Sequence, residues 1–221
     1  MKKHTLLSDI AVFLLIFFLF IVPPFFSAAV SPDRPLFGGW SFPWMQLLLA
    51  LAVTVLLVFY YEKSDKRTLI IFPVLFTSGM LFSVALFCSF LSQAFLGGAG
   101  GVDGNSVVSP VGALQWFFCL IYFACAAYYE EVLYRFYFSD ALFTLLEKKI
   151  SRKGALRFTA ILCEVLGLLA FAFAHLYLGW ISVLNAALAH VFLRLCFKKS
   201  GKLWPCVVSH FIYNVISLIL L

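Results

Sequence analysis

Of the 221 residues, 64% are hydrophobic and only 12% are charged, whereas a soluble domain runs at about 45–50% apolar and about 25% charged residues. A water-soluble fold of this length has too little interior to hide that much apolar surface, so the composition excludes a soluble globular enzyme. The formal net charge of +6 sits in short basic clusters between apolar runs, a pattern that serves orientation in a membrane, and no nucleic-acid partner is expected.

Several stretches of about 18 residues or more carry almost no charge, the length that a bilayer core demands of a helix. Backbone polar groups in lipid must be satisfied within the chain, and the short alternating segments of a β-barrel are missing. The expected fold is all-α, a polytopic transmembrane helix bundle of about seven spans. The first is expected at about 7–27, closed by Pro23-Pro24. Met1-Lys2-Lys3, an apolar run and Ser27-Ala28-Ala29 together have the form of a signal peptide. The run at 11–26, with Leu6 and Leu7 before it, is nevertheless long for a signal core of about 7–15 residues, so a retained first span is expected.

The second span is expected at about 43–61 and the third at about 69–92, followed by a glycine-rich polar loop with Gly97-Gly98-Ala99-Gly100-Gly101 and Asp103-Gly104-Asn105. The fourth runs from about 111 to 147, the fifth at about 157–175, the sixth at about 178–197 and the seventh at about 203–221. A helix from 111 to 147 would be about 55 Å long at 1.5 Å per residue, more than a bilayer needs, so it must be tilted or broken. Seven alternating spans put fourteen Lys and Arg residues on one side, Arg194 among them, leave Arg34 on the other and Arg135 inside a helix. This gives a cytoplasmic N-terminus. The six cysteines form no CxxC pair and read as small core residues, with neither a disulfide framework nor a zinc site. The one plausible division is 1–108, with about three spans, against 109–221, with about four spans that hold the charged motifs.

Ionisable groups at membrane depth cost about 2.5–3.5 kcal/mol each on insertion scales and usually mark function. Span four carries Tyr128-Tyr129-Glu130-Glu131-Val132-Leu133-Tyr134-Arg135, span five Glu164 and Phe171-Ala172-Phe173-Ala174-His175, span six Asn185 and His190, and span seven His210-Phe211-Ile212-Tyr213-Asn214. Glu131 and Arg135, four apart, share a helix face and pair. Glu130, turned by about 100°, is left without that partner and suits a general base. His210 and Asn214, also four apart, donate toward a common point. Taken singly, the Glu131–Arg135 pair reads as structural, His175 as a hydrogen-bonded core histidine, His190 and Glu164 as packing or polar-network residues, and Asn214 as an interhelical bond. Together, a carboxylate, two histidines and an asparagine on three spans support attack of water on a peptide carbonyl. A Glu and a His activate the water, and a His with an Asn stabilises the oxyanion, at about 3 kcal/mol per donor. No GxSxG, no aspartate pair on separate helices and no HExxH occurs, against serine, aspartyl and standard zinc peptidases.

At these residues the chain resembles the CAAX prenyl endopeptidase type 2 family of CAAX proteases and bacteriocin-processing enzymes (CPBP), whose motifs are EExxxR, FxxxH and HxxxN. Glu130-Glu131 through Arg135, Phe171 through His175, and His210 through Asn214 match them in order, and Ser200-Gly201-Lys202-Leu203-Trp204-Pro205 is similar to the family's lead-in to the third. The resemblance covers about 110–221 and implies an intramembrane protease. In it Glu130 and His175 activate water, His210 and Asn214 form the oxyanion site, and Glu131 and Arg135 support them. Tyr134 and Phe136 depart from the family's usual Phe before and Gly after the arginine, and His190 stands where a small residue is expected. No cofactor is expected to be required. Two histidines and a glutamate can also ligate zinc, but the spacing is no standard zinc signature.

The expected substrate is a membrane-associated peptide or protein, in the lipid bilayer of a bacterial cytoplasmic membrane. Two alternatives stay open: a catalytically silent membrane scaffold or immunity-type binding protein, and a carrier using the acids and histidines as a proton relay. One difficulty is spatial. Counted at about 1.5 Å per residue, His210 lies roughly 10 Å from the cytoplasmic end of its span and His175 roughly 25 Å from that of its own.

Overall fold

The computed structural model describes residues 6–26, 40–60, 71–96, 109–148, 150 and 152–220. The glycine-rich loop, Lys2, Lys3, Arg34, Lys63, Lys66, Arg67, Lys149 and Ser27-Ala28-Ala29 lie outside the described residues. Within them every regular element is helical. Helix α1, Leu6–Ile16, runs on through a π turn, Phe17–Ile21, to a 3-10 turn, Pro23–Phe26, where prolines end it. Then come α2, Trp44–Tyr60, and α3, Ile71–Leu96. Helix α4, Gly112–Glu130, passes through a π segment, Glu131–Tyr137, into α5, Phe138–Glu147. Helix α6, Lys153–Phe173, turns through Leu176–Leu178 into α7, Trp180–Ser200, and α8 is Trp204–Leu220.

Five of these helices are long and apolar enough to cross a membrane, the 36-residue Gly112–Glu147 helix among them, and Trp44–Phe59 and Trp204–Leu220 are shorter apolar helices. The chain is an all-α integral membrane bundle. Its large apolar side chains point outward: Leu75, Phe90, Phe158 and Ile161 are each more than 60% exposed, which lipid tolerates and water would not. Inside, small residues let helices approach closely. Ala126, Ala127, Ala170, Ala172, Ala186 and Ala189 are buried. At Gly167 a side chain would run into Ser139 Oγ of α5.

Helix α3 packs on α7 and α8, α6 on α5 and α7, and α4 on α2 and α8. Helix α1 lies along α5, with Asp9 paired to Lys148 at 3.3 Å and Pro23–Phe26 against Leu176–Leu178. Between α7 and α8 the chain reverses at Gly201, whose φ of 64° is the left-handed conformation favoured at a helix C-terminus. Its N–H bonds the Phe197 carbonyl at 2.8 Å.

The spatial difficulty resolves through uneven helix ends. Glu164, midway along α6, pairs with Arg194 at 2.8 Å and with Lys198 at 2.5 Å, near the last turn of α7. The first half of α6 and its partner α5 therefore reach past the Ser200 end of α7. From Glu164 to His175 is about 16 Å along the helix rather than the whole span, and the rings of His175 and His210 meet the same Phe171 ring, at 4.7 and 6.4 Å between centres. The same pairs correct the reading of Arg194 as a loop cation: it lies inside α7, 5% exposed, neutralised by α5 and α6.

Candidate active site

Glu130 ends α4 and Glu131 begins the π segment. In that segment the Phe138 N–H reaches back five residues to the Leu133 carbonyl, a widened turn that recurs at functional sites. Glu130 and Glu131 themselves keep ordinary helical dihedrals, φ −66° ψ −43° and φ −67° ψ −39°. His210 meets them together. Its Nδ1 lies 2.9 Å from Glu131 Oε1 and its Nε2 lies 3.9 Å from Glu130 Oε2. An ionised carboxylate only accepts hydrogen bonds, so Nδ1–H donates to Glu131 and Nε2 is turned to Glu130.

Glu131 and Arg135 are both fully buried. Arg135 Nε stands 3.2 Å from Glu131 Oε2, and the Arg135 guanidinium lies 4.0 Å over the centre of the Phe171 ring, a cation–π contact. Phe171, 2% exposed, is the floor of the site. Its ring centre is 4.7 Å from that of His175 and 6.4 Å from that of His210. The first residue of the FxxxH motif thus packs against groups from all three motifs.

His175 closes α6. Its Nδ1 donates to the Phe171 carbonyl at 2.8 Å, which leaves Nε2 of the neutral ring free to accept. It lies within electrostatic reach of Glu130 and His210. Glu130 Oε2 is a buried oxygen with no hydrogen-bond partner among the described residues. The 3.9 Å between it and His210 Nε2 exceeds a hydrogen bond. Glu130 and His210 are brought together, and the Phe171 ring links His175 to His210. Asn214 follows His210 by one turn on α8 and is half-buried; its amide bonds neither His210 nor Glu130 among the described residues.

Two contributors from α7 were not singled out from sequence as site residues. His190 Nδ1 takes a hydrogen bond from Arg135 Nη1 at 2.9 Å. Arg194 Nη1 donates to the backbone carbonyl of Arg135, while its Nη2 holds Asp140 at 2.5 Å and Glu164 at 2.8 Å. The signal was present: two ionisable residues four apart on an apolar span are expensive unless they meet partners. Asn185 of α7 bonds the Tyr213 hydroxyl at 2.8 Å and belongs to α7–α8 packing. Among the described residues no three His, Cys, Asp or Glu side chains form a group that can hold a metal ion. Both His175 and His210 already use Nδ1 toward the protein.

Residues 112–216 match the family model described as type II CAAX prenyl endopeptidase Rce1-like. The comparisons with curated proteins and with solved structures give no match.

Proposed function

We propose that this chain, whose residues 112–216 match the model of the Rce1-like type II CAAX prenyl endopeptidases, is a CAAX-type membrane protease that hydrolyses a peptide bond of a membrane-associated protein or peptide with water activated by Glu130 and His175. In this reading residues 109–221 form the catalytic bundle and 1–108 the flanking spans. The N-terminus and the basic helix ends face the cytoplasm, and the membrane is a bacterial cytoplasmic one. The observation that carries the proposal is the buried Glu130 oxygen facing His210 Nε2 at 3.9 Å, with the Phe171 ring packed against both His210 and His175.

The chemistry follows from proton positions. Glu130 takes a proton from water, and His175 Nε2 accepts a hydrogen bond that orients it. The water oxygen bonds the carbonyl carbon, and the carbonyl oxygen becomes an oxyanion. His210 and Asn214 are the donors to that oxygen. With Nδ1–H given to Glu131, His210 donates from Nε2 only when the ring carries both protons. The local charges then balance, with Glu130 and Glu131 against Arg135 and the imidazolium. When the C–N bond breaks, the proton held by Glu130 passes to the leaving amine. A zinc ion would have to take His175, His210 and Glu130 as ligands, and the described residues do not assemble that set, so no step is routed through one.

The test is cleavage of a fluorogenic farnesylated peptide by the full chain in detergent. Glu130→Gln and His175→Ala are expected to lose at least about a hundredfold in kcat, the low end of a general-base contribution, with unchanged melting. A Glu130→Gln variant as active as wild type refutes the mechanism.

A further inference from the structure

Helix α7 carries none of the three motifs, yet two of its side chains, one turn apart, close on the same residue. Arg135 is held at its side chain by His190, whose Nδ1 accepts from Nη1 at 2.9 Å, and at its backbone carbonyl by Arg194. Both are nearly sealed from the surface, at 2% and 5% exposed. Arg194 is itself clamped, with Nη2 on Asp140 at 2.5 Å and Nε on Glu164 at 2.9 Å, so α5, α6 and α7 together grip the π segment.

We infer that His190 and Arg194 are positioning residues of the site, holding Arg135 by its guanidinium and its carbonyl and thereby setting Glu131 and the ring of His210. The guanidinium is planar and its donors are rigidly related. Fixing Nη1 on His190 and one face on Phe171 holds the guanidinium as the ion-pair partner of Glu131, with Nε 3.2 Å from Oε2. That carboxylate's other oxygen receives His210 Nδ1–H at 2.9 Å. The relay runs from α7 through α4 to α8 in consecutive contacts: His190 to Arg135, Arg135 to Glu131, Glu131 to His210. Because Nδ1 of His190 accepts, the neutral ring carries its proton on Nε2. Without this acceptor the buried guanidinium seeks another oxygen, and Glu131 is the nearest anion. The carboxylate then turns and His210 loses its fixed orientation. The hold at the carbonyl acts on the same residue through the backbone, fixing the widened turn in which Arg135 sits.

The positioning role rests on the hydrolase reading; the setting of the His210 ring does not. The full chain is labelled with 15N-histidine, and the His210 signal is assigned by its loss in His210→Gln. Cleavage of the farnesylated peptide is measured in parallel. His190→Leu is expected to shift the His210 ring-nitrogen signals and to lower kcat at least tenfold with KM within twofold. His190→Asn, whose Oδ1 stands near the place of Nδ1, is expected to recover both. Arg194→Lys keeps its charge toward Asp140 and Glu164 but loses the fork that reaches the carbonyl, and it should move the same signals. His210 signals unchanged in His190→Leu overturn the inference. So do Leu and Asn variants that lose activity equally, in step with their melting temperatures. Signals unchanged in Arg194→Lys remove Arg194 from it. Wild type that cleaves no better than Glu130→Gln overturns the hydrolase reading and the positioning role with it, while the His210 signals still decide whether α7 sets the ring.

Discussion

Replacing Glu131 by Gln keeps the side chain's shape and removes one charge from a fully buried pair. Arg135, with none of its surface exposed, then loses the carboxylate 3.2 Å from its Nε, and its remaining contacts are the His190 nitrogen and the Phe171 ring. Breaking a buried pair from one side costs about 3–5 kcal/mol, because the survivor is left charged and dry. The bond from His210 Nδ1, now to a neutral amide oxygen, falls from about 1.5–3 kcal/mol to about 1 kcal/mol. Removing both charges with Glu131→Gln/Arg135→Met leaves no orphaned ion, and replacing a buried pair with apolar groups is often near neutral. The double variant is therefore expected to regain at least about 2 kcal/mol over Glu131→Gln, a coupling within the range for contacting residues. Reversible unfolding by SDS in mixed micelles reads both values. Cleavage separates stability from function, since the double variant regains stability but not activity, His210 having lost its anion. A single variant that loses under about 1 kcal/mol, or a double variant whose losses simply add, refutes the argument.

Asn214→Ala is expected to lower kcat by about a hundredfold to a thousandfold with little change in KM, the effect of losing one oxyanion donor; steady-state cleavage kinetics check it. Gly167→Ala places a Cβ against Ser139 Oγ and is expected to cost about 1–3 kcal/mol of overpacking. In a Ser139→Ala background the same change meets the Cβ of residue 139 at 3.6 Å and Phe138 Cδ1 at 3.7 Å, both ordinary contacts, and most of the stability returns on the same unfolding curve. Single cysteines at Lys148 and Lys198, both exposed on the basic helix ends, are expected to react with an impermeant maleimide only when the cytoplasmic face is opened, as the positive-inside rule requires. Labelling in intact cells reverses the orientation.

Much was legible before any coordinates. Runs of apolar residues have no stable state in lipid other than helix, so the apolar runs dictated an all-α membrane bundle and placed seven helices to within a few residues, five of them long enough to cross a membrane. The Glu131–Arg135 pair was readable from its spacing, because four residues apart share a face in a helix and, as it happens, still meet across a π turn. The three motifs named the acids, the imidazoles and the amide by type and order. The π segment itself was not readable: Glu131–Tyr137 has no proline or glycine to announce a widened turn, and we have no account from local sequence of why it forms.

What only the tertiary structure decided concerns depth and partners. That His175 and His210 pack on one ring, Phe171, depends on how α6 and α8 are set against each other, and the register of α6 on α7 is fixed by Glu164 meeting Arg194 and Lys198. Arg194 reads from sequence as one more loop cation, because spacing along a chain carries no information about which helix stands opposite. His210 was assigned to the oxyanion with Asn214; that its Nδ1 is already given to Glu131 becomes visible only when α4 and α8 are packed. A helix's own sequence sets which residues share a face. The angle, register and neighbour that face meets come from long-range packing, and hydrogen bonds between side chains far apart in sequence follow from that alone.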